Sequence, residues 1–129
     1  MSFIKVRNAH KTENTEDYLE LIAEFLNNKG EARIVDIANK LGIAQATANK
    51  TIKRLQNQGY VKKEPYRSIF LTLEGQKIAS QSKKKHNIVL NFLINLGVDF
   101  KTAETDSEGI EHHVSEKTLK KMVKFNKLK

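Results

Sequence analysis

The strongest constraint on the fold is a change of hydrophobic period in the middle of the chain. Before Gly59, the segments RIVDIANKLG and AQATANKTIKRLQNQG repeat apolar residues at helical spacing, and each ends at a glycine. After it, YVKKEPYRSIFLTLEG alternates apolar and polar residues and is rich in β-formers. Two short helices, the second of them basic, followed directly by a hairpin predict a winged helix-turn-helix.

The hairpin is predicted to pair residues 60–63 with residues 69–73. Its turn is expected at Pro65-Tyr66-Arg67-Ser68, and Pro65 is the only proline in the sequence. A proline there removes no hydrogen bond that the sheet requires. The hairpin therefore predicts the small β-wing of an otherwise α-helical chain.

Helical patterns flank the winged segment on both sides. TEDYLELIAEFLNNKG predicts a helix that begins at Asn14 or Thr15 and ends at Gly30. A long helix is expected after Leu73, and its segment 88–96 is apolar on nearly all sides. Such a helix must be covered, and few elements of the chain remain to cover it. We therefore expect the chain to form a homodimer through this helix. The predicted fold is mainly α: an extension over 1–14, the winged helix-turn-helix over 15–74 and a helical dimerisation part over 75–129.

Composition indicates a folded protein with an anionic partner. The net charge is +8, which favours nucleic acid, although lysine-rich composition alone could produce it. Three of the four arginines fall in the winged segment, which a lysine bias does not explain. The chain has no cysteine, no apolar run of transmembrane length and no secretory signal pattern, so a cytoplasmic protein without a membrane partner is expected.

The second helix of the motif predicts a surface that reads double-stranded DNA. Residues in its first turn are expected to reach base edges, and later residues to meet phosphates. The residues assigned to bases are Gln45, Ala46 and Thr47, and those assigned to phosphates are Lys50, Arg54 and Arg67 of the wing. A homodimer would read an inverted repeat with two such surfaces. The alternative is a winged helix that serves only protein contacts.

An acidic and histidine-rich cluster, SEGIEHHVSEKTL, contrasts with the basic chain around it. If this segment is one helix, Glu108, Glu111 and His112 share a face, because positions i, i+3 and i+4 lie together. Two acids on one face repel each other weakly unless a positive group lies between them. The cluster is either a solvated helix face or a binding site for a cation.

Four separated motifs together carry a family resemblance: TEDYLE, PYRSIFLTLEG, KKKHNIVLNFLINLGV and DSEGIEHHVSE. In this order they resemble the manganese-responsive (MntR) branch of the diphtheria toxin repressor (DtxR) family of metal-dependent transcriptional regulators, over about residues 15–119. The resemblance implies a homodimer that binds operator DNA when Mn²⁺ is bound and represses metal-uptake genes. It implies six metal ligands: Asp17, Glu20, His86, Glu108, Glu111 and His112.

Two departures bear on what the resemblance implies. The iron-responsive branch has a cysteine at the position of Glu111 and a further C-terminal barrel domain, and this sequence has neither. Ala44 and Ala46 differ from the recognition helix expected for the family, so the operator sequence cannot be carried over. His113 is not a ligand in this branch and is expected to pack or to support the site.

The implied ligands form an oxygen- and nitrogen-rich set without sulfur, which suits Mn²⁺. Because six protein ligands exceed what one ion takes when water is also bound, two ions per subunit are expected. Glu20 and Glu111 are the candidates for carboxylates that bridge them.

Three other functions remain as alternatives. The regulator could respond to Fe²⁺ or to a small organic ligand, or a dimetal site could hydrolyse a substrate. The sequence has no HExxH pattern or phosphate-binding loop, so neither an enzyme nor a small-molecule substrate is expected. The lysines of the C-terminal segment either attract phosphate non-specifically or form a solvated helix face.

Overall fold

The computed structural model describes residues 3–64 and 68–129, with side chains from Lys11 onward. Its elements are α1 Phe3–Lys29, α2 Ile34–Leu41, α3 Gln45–Asn57, β1 Val61–Lys63, β2 Ile69–Leu71, α4 Leu73–Asn95, α5 Phe100–Ile110 and α6 Glu116–Lys127. The predicted class is confirmed: over the described residues the chain is mainly helical, with a small two-stranded sheet after a helix-turn-helix. Among the described residues, no helix is both long and apolar enough to cross a membrane.

The chain forms two compact units. One comprises residues 15–80, and the other comprises residue 81 onward together with the chain up to Asn14. Helices α1 and α4 each contribute residues to both units.

The 15–80 unit has a core made by the apolar faces that the sequence pattern predicts. Residues from α1, the segment before α2, α2, α3, both strands and the first half of α4 are buried together: Tyr18, Leu19, Leu21, Ile22, Ala32, Ile37, Ile52, Leu55, Val61, Ile69 and Ala79. Helices α1 and α2 end at glycines, as predicted. Gly30 (φ 75°) and Gly42 (φ 67°) adopt left-handed backbone conformations that other L-residues rarely accept.

The hairpin is antiparallel, with Val61 opposite Leu71 and Lys63 opposite Ile69. Ser68 connects its second strand to the segment before α2. The Ser68 hydroxyl accepts a hydrogen bond from the backbone N–H of Ala32 (2.6 Å) and lies 3.1 Å from the carbonyl oxygen of Ala32. The rest of the predicted turn, Pro65 to Arg67, lies outside the described residues.

Thr72 joins the hairpin to α4. Its backbone N–H donates to the Tyr60 carbonyl oxygen (3.1 Å), and its hydroxyl donates to the Gly59 carbonyl oxygen (2.7 Å). The same hydroxyl accepts from the backbone N–H of Gly75 (3.1 Å), as an N-cap residue does. Gly75 itself is buried against the backbone of Tyr60. The first turn of α4 therefore packs against the backbone of the segment between α3 and β1.

In the other unit, α6 is fixed to α4 by both apolar and polar contacts. The rings of Phe92 and Phe125 meet edge to face with centroids 5.2 Å apart. The Asn126 side chain donates to the Ile88 carbonyl oxygen (3.2 Å) and accepts from the Asn95 amide (3.0 Å). This arrangement accounts for two asparagines that lie among apolar residues.

Side-chain caps start α5 and α6. The Asp99 carboxylate accepts from the backbone N–H of Thr102 (3.0 Å), and the Ser115 hydroxyl accepts from that of Thr118 (3.2 Å). Ser115 is thus the N-cap of α6, which begins at Glu116.

The expected start of the first helix is wrong. Helix α1 begins at Phe3 rather than at Asn14 or Thr15, because residues 3–29 contain neither glycine nor proline and Thr15 Oγ1 accepts from Arg54. The segment from Ser107 to Leu119 is helical only in part. Helix α5 ends at Ile110 with Glu111 as its C-cap, and a turn over 111–113 leads to the Ser115 cap. Because Glu111 keeps helical dihedral angles and its N–H donates to the Ser107 carbonyl oxygen (3.0 Å), Glu108 and Glu111 retain helical spacing, whereas His112 lies in the turn.

The apolar run 88–96 is only partly covered within its own unit. Val89 is fully buried, whereas Ile94 is 39% exposed and Leu96 55% exposed. Phe100, just beyond the run, is 64% exposed. A dimer formed through this helix would need such exposed apolar side chains for the contact between the two copies.

Candidate metal centre and nucleic-acid interface

Three of the predicted metal ligands lie together in the unit that contains α4, α5 and α6. His86 comes from α4, Glu111 caps the C-terminus of α5, and His112 lies in the turn that follows. Glu111 lies between the two imidazoles. Its Oε2 is 3.1 Å from His86 Nδ1, and its Oε1 is 3.4 Å from His112 Nε2.

This group is buried, which excludes a solvated face as the explanation of Glu111 and His112. Glu111 is 3% exposed and His112 is 8% exposed. A buried carboxylate destabilises the fold unless a positive or hydrogen-bonding group compensates it, and here imidazoles stand at both of its oxygens. The group is therefore a candidate binding site.

The donor set fits a divalent cation. The two oxygens of one carboxylate each lie near an imidazole nitrogen, at 3.1 and 3.4 Å, and none of the three side chains contains sulfur. Mixed nitrogen and oxygen donors suit Mn²⁺ and Fe²⁺, and they also bind Zn²⁺. His86, Glu111 and His112 are therefore residues of this unit that could hold a metal.

The other three predicted ligands are placed differently. Glu108 lies near the end of α5 with its side chain exposed. Asp17, which is exposed, and Glu20, which is half-buried, lie three residues apart on one face of α1 in the 15–80 unit.

Sequence reasoning missed two carboxylates that contact the histidines. Glu104 Oε1 is 3.5 Å from His86 Nε2, on the side of the ring away from Glu111. Glu104 precedes Glu111 by seven residues, and this two-turn spacing is the signal that could have found it. Glu13 Oε2 is 3.0 Å from His113 Nε2, so His113 supports the region from outside the predicted ligand set. Glu13 lies in the segment that the sequence pattern predicts to be an extension, so no local signal links it to the site.

Helix α3 presents a polar, exposed surface opposite its buried face. Ala48, Ile52 and Leu55 are buried. The exposed residues include four of the predicted DNA contacts: Gln45, Ala46, Thr47 and Lys50. Ala44 precedes the helix without a side-chain cap, which leaves the first-turn backbone N–H groups available to a phosphate.

The two predicted arginine contacts have different outcomes. Arg54 is half-buried, and its guanidinium donates to Thr15 Oγ1 (3.0 Å) and Gln58 Oε1 (2.9 Å). This side chain therefore connects α3 to α1 inside the unit, a role that the sequence did not reveal. Arg67 lies outside the described residues.

The first strand of the wing adds basic groups that sequence reasoning did not select. Lys62 and Lys63 are exposed, and Lys63 Nζ contacts Asn49 Oδ1 on α3 at 3.2 Å. This contact brings the strand's positive charge beside the exposed face of α3. The signal was present in the sequence as a lysine pair in a wing strand.

Comparison with known proteins places these features in a family. Residues 10–69 match the family model described as "Iron dependent repressor, N-terminal DNA binding domain", and residues 72–127 match "Iron dependent repressor, metal binding and dimerisation domain". The transcriptional regulator MntR of Escherichia coli is 50% identical over 117 residues, covering 91% of this chain and 76% of that protein. The Bacillus subtilis regulator MntR is 38% identical over 104 residues, covering 81% of this chain and 73% of that protein.

A solved structure agrees with these matches. The structure of the manganese regulator SloR superposes with a TM-score of 0.75 at 28% identity, covering 86% of this chain and 52% of that one. Both halves of the chain thus match one family in the order that the family requires, and the resemblance found in the sequence is confirmed. The chain belongs to the iron-dependent repressor family of metal-dependent transcriptional regulators.

Proposed function

We propose that the protein is a Mn²⁺-dependent repressor of metal-uptake genes that binds an inverted-repeat operator as a homodimer. The observation that carries the proposal is the buried group of His86, Glu111 and His112, in the part of the chain that matches a metal-binding domain. The choice of Mn²⁺ over Fe²⁺ is supported by the sulfur-free donor set and by relatives that are named MntR or called a manganese regulator.

The proposed site holds two ions per subunit. Its ligands are Asp17, Glu20, His86, Glu108, Glu111 and His112. Glu111 is suited to bridging because each of its oxygens faces a different imidazole. Glu20 is proposed as the second bridging carboxylate. A bound divalent ion supplies positive charge that offsets the mutual repulsion of these acids.

Control of DNA binding follows from the division of these ligands between the units. Asp17 and Glu20 belong to the unit that carries α3, and the remaining four belong to the other unit. A metal ion held by ligands of both groups would restrain α3 relative to the dimerisation part. The two α3 helices of a dimer would then have the separation that the operator requires. A nearly complete switch, from 1:99 to 99:1, requires the ligand to favour the binding state by about 5.5 kcal/mol.

DNA is read by the exposed face of α3. Gln45, Ala46 and Thr47 are proposed to meet base edges. Lys50, Arg54 and Arg67 are proposed to meet phosphates. Lys62 and Lys63 of the wing strand add positive charge beside this face and increase the salt dependence of binding.

The homodimer is proposed to form through the apolar surface that the unit leaves uncovered. Leu96 and Phe100 are more than half exposed. Burial of such side chains against a second copy stabilises association by about 1.5–3 kcal/mol for each fully buried residue. Two-fold pairing then presents two α3 helices to the two halves of an inverted repeat.

The test is operator binding as a function of metal. Fluorescence anisotropy with DNA from the protein's own upstream region should show tight binding with Mn²⁺ and weak binding with a chelator. Parallel titrations with Fe²⁺ and Zn²⁺ measure the metal preference. His86→Ala and Glu111→Gln should abolish the response to Mn²⁺, whereas Glu24→Gln, an exposed carboxylate on α1, should keep it. Equal Mn²⁺ responses in all four proteins would refute the proposal.

A further inference from the structure

We infer that Glu104 is a positioning residue for the metal centre: its carboxylate attracts the Nε2–H of His86 and so leaves Nδ1 of that ring free to take a metal. The inference rests on the proposed function, because it requires His86 to be a ligand. It concerns a residue outside the predicted ligand set, and it assigns a role to the side of the imidazole that faces away from Glu111.

The two nitrogens of His86 face different carboxylates. Nδ1 is 3.1 Å from Oε2 of Glu111, which is 3% exposed, and Nε2 is 3.5 Å from Oε1 of Glu104, which is 41% exposed. The His86 side chain is itself only 16% exposed. The ring therefore has an inner nitrogen beside the buried cluster and an outer nitrogen beside the solvent-facing acid.

This arrangement makes the two carboxylates compete for one proton. A neutral imidazole carries its proton on either Nδ1 or Nε2 and can bind a metal only through the other nitrogen. Glu111 alone would draw the proton to Nδ1, the nitrogen that must be free for a metal at the cluster. Glu104 favours the opposite tautomer, with the proton on Nε2. Removing Glu104 should therefore make the metal-competent tautomer less populated.

The geometry of α5 holds Glu104 at this position. Glu104 and Glu111 are separated by two helical turns and so lie on the same side of the helix axis. Ala103 and Ser107 are fully buried beside them, and the Ser107 hydroxyl donates to the Glu104 carbonyl oxygen (3.0 Å). The 3.5 Å separation is an ion-pair distance, and a movement of a few tenths of an ångström by the half-exposed side chain makes it a hydrogen bond.

The alternative is a surface ion pair that only adds stability. Such pairs contribute about 0–1 kcal/mol and act on the whole fold, without a preference for one ring nitrogen. A carboxylate that orients a metal-binding histidine acts on metal affinity, which typically falls about 10–100-fold when the outer partner is removed. A surface ion pair would therefore change the stability of the fold, whereas a positioning residue would change the metal affinity.

The experiment compares the wild type with Glu104→Ala, Glu104→Gln and a matched control. The control is Glu116→Ala, which removes an exposed carboxylate from the first turn of α6 in the same unit. Long-range ¹H–¹⁵N NMR of the metal-free protein reports which nitrogen of His86 carries the proton. Calorimetric titration with Mn²⁺ alone reports affinity and stoichiometry, and circular dichroism confirms that each variant is folded.

The inference predicts that Glu104→Ala shifts the His86 proton toward Nδ1 and weakens Mn²⁺ binding about 10–100-fold at unchanged stoichiometry. Glu104→Gln keeps an acceptor oxygen and should restore much of the Nε2–H tautomer, whereas Glu116→Ala should resemble the wild type. An unchanged tautomer in Glu104→Ala would overturn the inference, and so would loss of one bound ion, because that would make Glu104 a direct ligand. The proposed function fails separately, if His86→Ala binds Mn²⁺ as tightly as the wild type.

Discussion

Two helical glycines that occupy opposite environments should respond in opposite ways to the same substitution. Gly75, in the first turn of α4, and Gly109, near the end of α5, both have ordinary helical φ angles. A Cβ added at Gly75 would overlap the Tyr60 carbonyl oxygen and would lie 3.1 Å from the Tyr60 carbonyl carbon. A Cβ added at Gly109 would meet nothing within 4 Å.

The magnitudes follow from these contacts. Alanine in place of glycine stabilises a helix interior by about 0.8–1 kcal/mol, and this should be the whole effect at Gly109. At Gly75 the overlap is with backbone, and overpacking of this kind costs about 1–3 kcal/mol. Moving the Tyr60 carbonyl aside would also weaken its hydrogen bond from Thr72, which contributes about 1 kcal/mol. We expect Gly75→Ala to be destabilised by about 2 kcal/mol net and Gly109→Ala to be slightly stabilised.

The assay uses the distribution of the tyrosines. The three tyrosines, Tyr18, Tyr60 and Tyr66, all fall within residues 15–80, and the chain has no tryptophan. Tyrosine fluorescence during urea unfolding, with a chelator present, therefore reports the unit that contains Gly75. With a slope of about 1–2 kcal/mol per molar urea, Gly75→Ala should lower the midpoint by about 1–2 M.

Far-UV circular dichroism follows both units in the same samples and serves as the check on Gly109→Ala. That variant should leave the fluorescence midpoint unchanged. If Gly75→Ala unfolded at the same urea concentration as the wild type, or later, the close approach of α4 to Tyr60 would be refuted.

Three further outcomes are expected. Ser68→Ala removes the acceptor for the buried Ala32 N–H and should destabilise the 15–80 unit by about 1–2 kcal/mol in urea unfolding, whereas the exposed Ser80→Ala should not. The backbone N–H of Thr102 lowers the pKa of Asp99 from its ordinary 3.8, so the extra thermal stability of the wild type over Asp99→Ala should be present above that value and lost as the pH falls through the lowered pKa. Leu96→Asp should weaken dimerisation at least about tenfold in analytical ultracentrifugation, unlike the exposed Asn91→Asp, and an unchanged dimer would place the interface elsewhere.

The fold could be predicted to the extent that its signals are local. The apolar spacing of α2 and α3, the glycines that end α1 and α2, and the alternation in the hairpin act over one or two turns of chain. The start of α1 was mispredicted because Thr15 resembles a helix cap. Its hydroxyl is instead used by Arg54, a residue 39 positions away, and no local pattern contains that contact.

The candidate site was predictable as a set of residue types and less so as an arrangement. The spacing of the acids and histidines suggested a cation site, and the burial of Glu111 between two imidazoles agrees with that suggestion. The contact of Glu104 with His86 joins two helices. It depends on how α5 is rotated about its axis, and the buried Ala103 and Ser107 mark the side of α5 that faces inward. The spacing of residues along the sequence does not predict this rotation.

Two neighbouring acids at the end of α5 differ strongly in exposure. Glu111 is buried, with an imidazole beside each of its carboxylate oxygens, whereas the Glu108 side chain is exposed. As a ligand, Glu108 would spend part of its binding free energy on restricting an exposed side chain, whereas Glu111 is already restricted by burial. We therefore expect Glu108→Ala to weaken Mn²⁺ binding less than Glu111→Ala in calorimetric titrations, and an equal or larger loss for Glu108→Ala would contradict this reasoning.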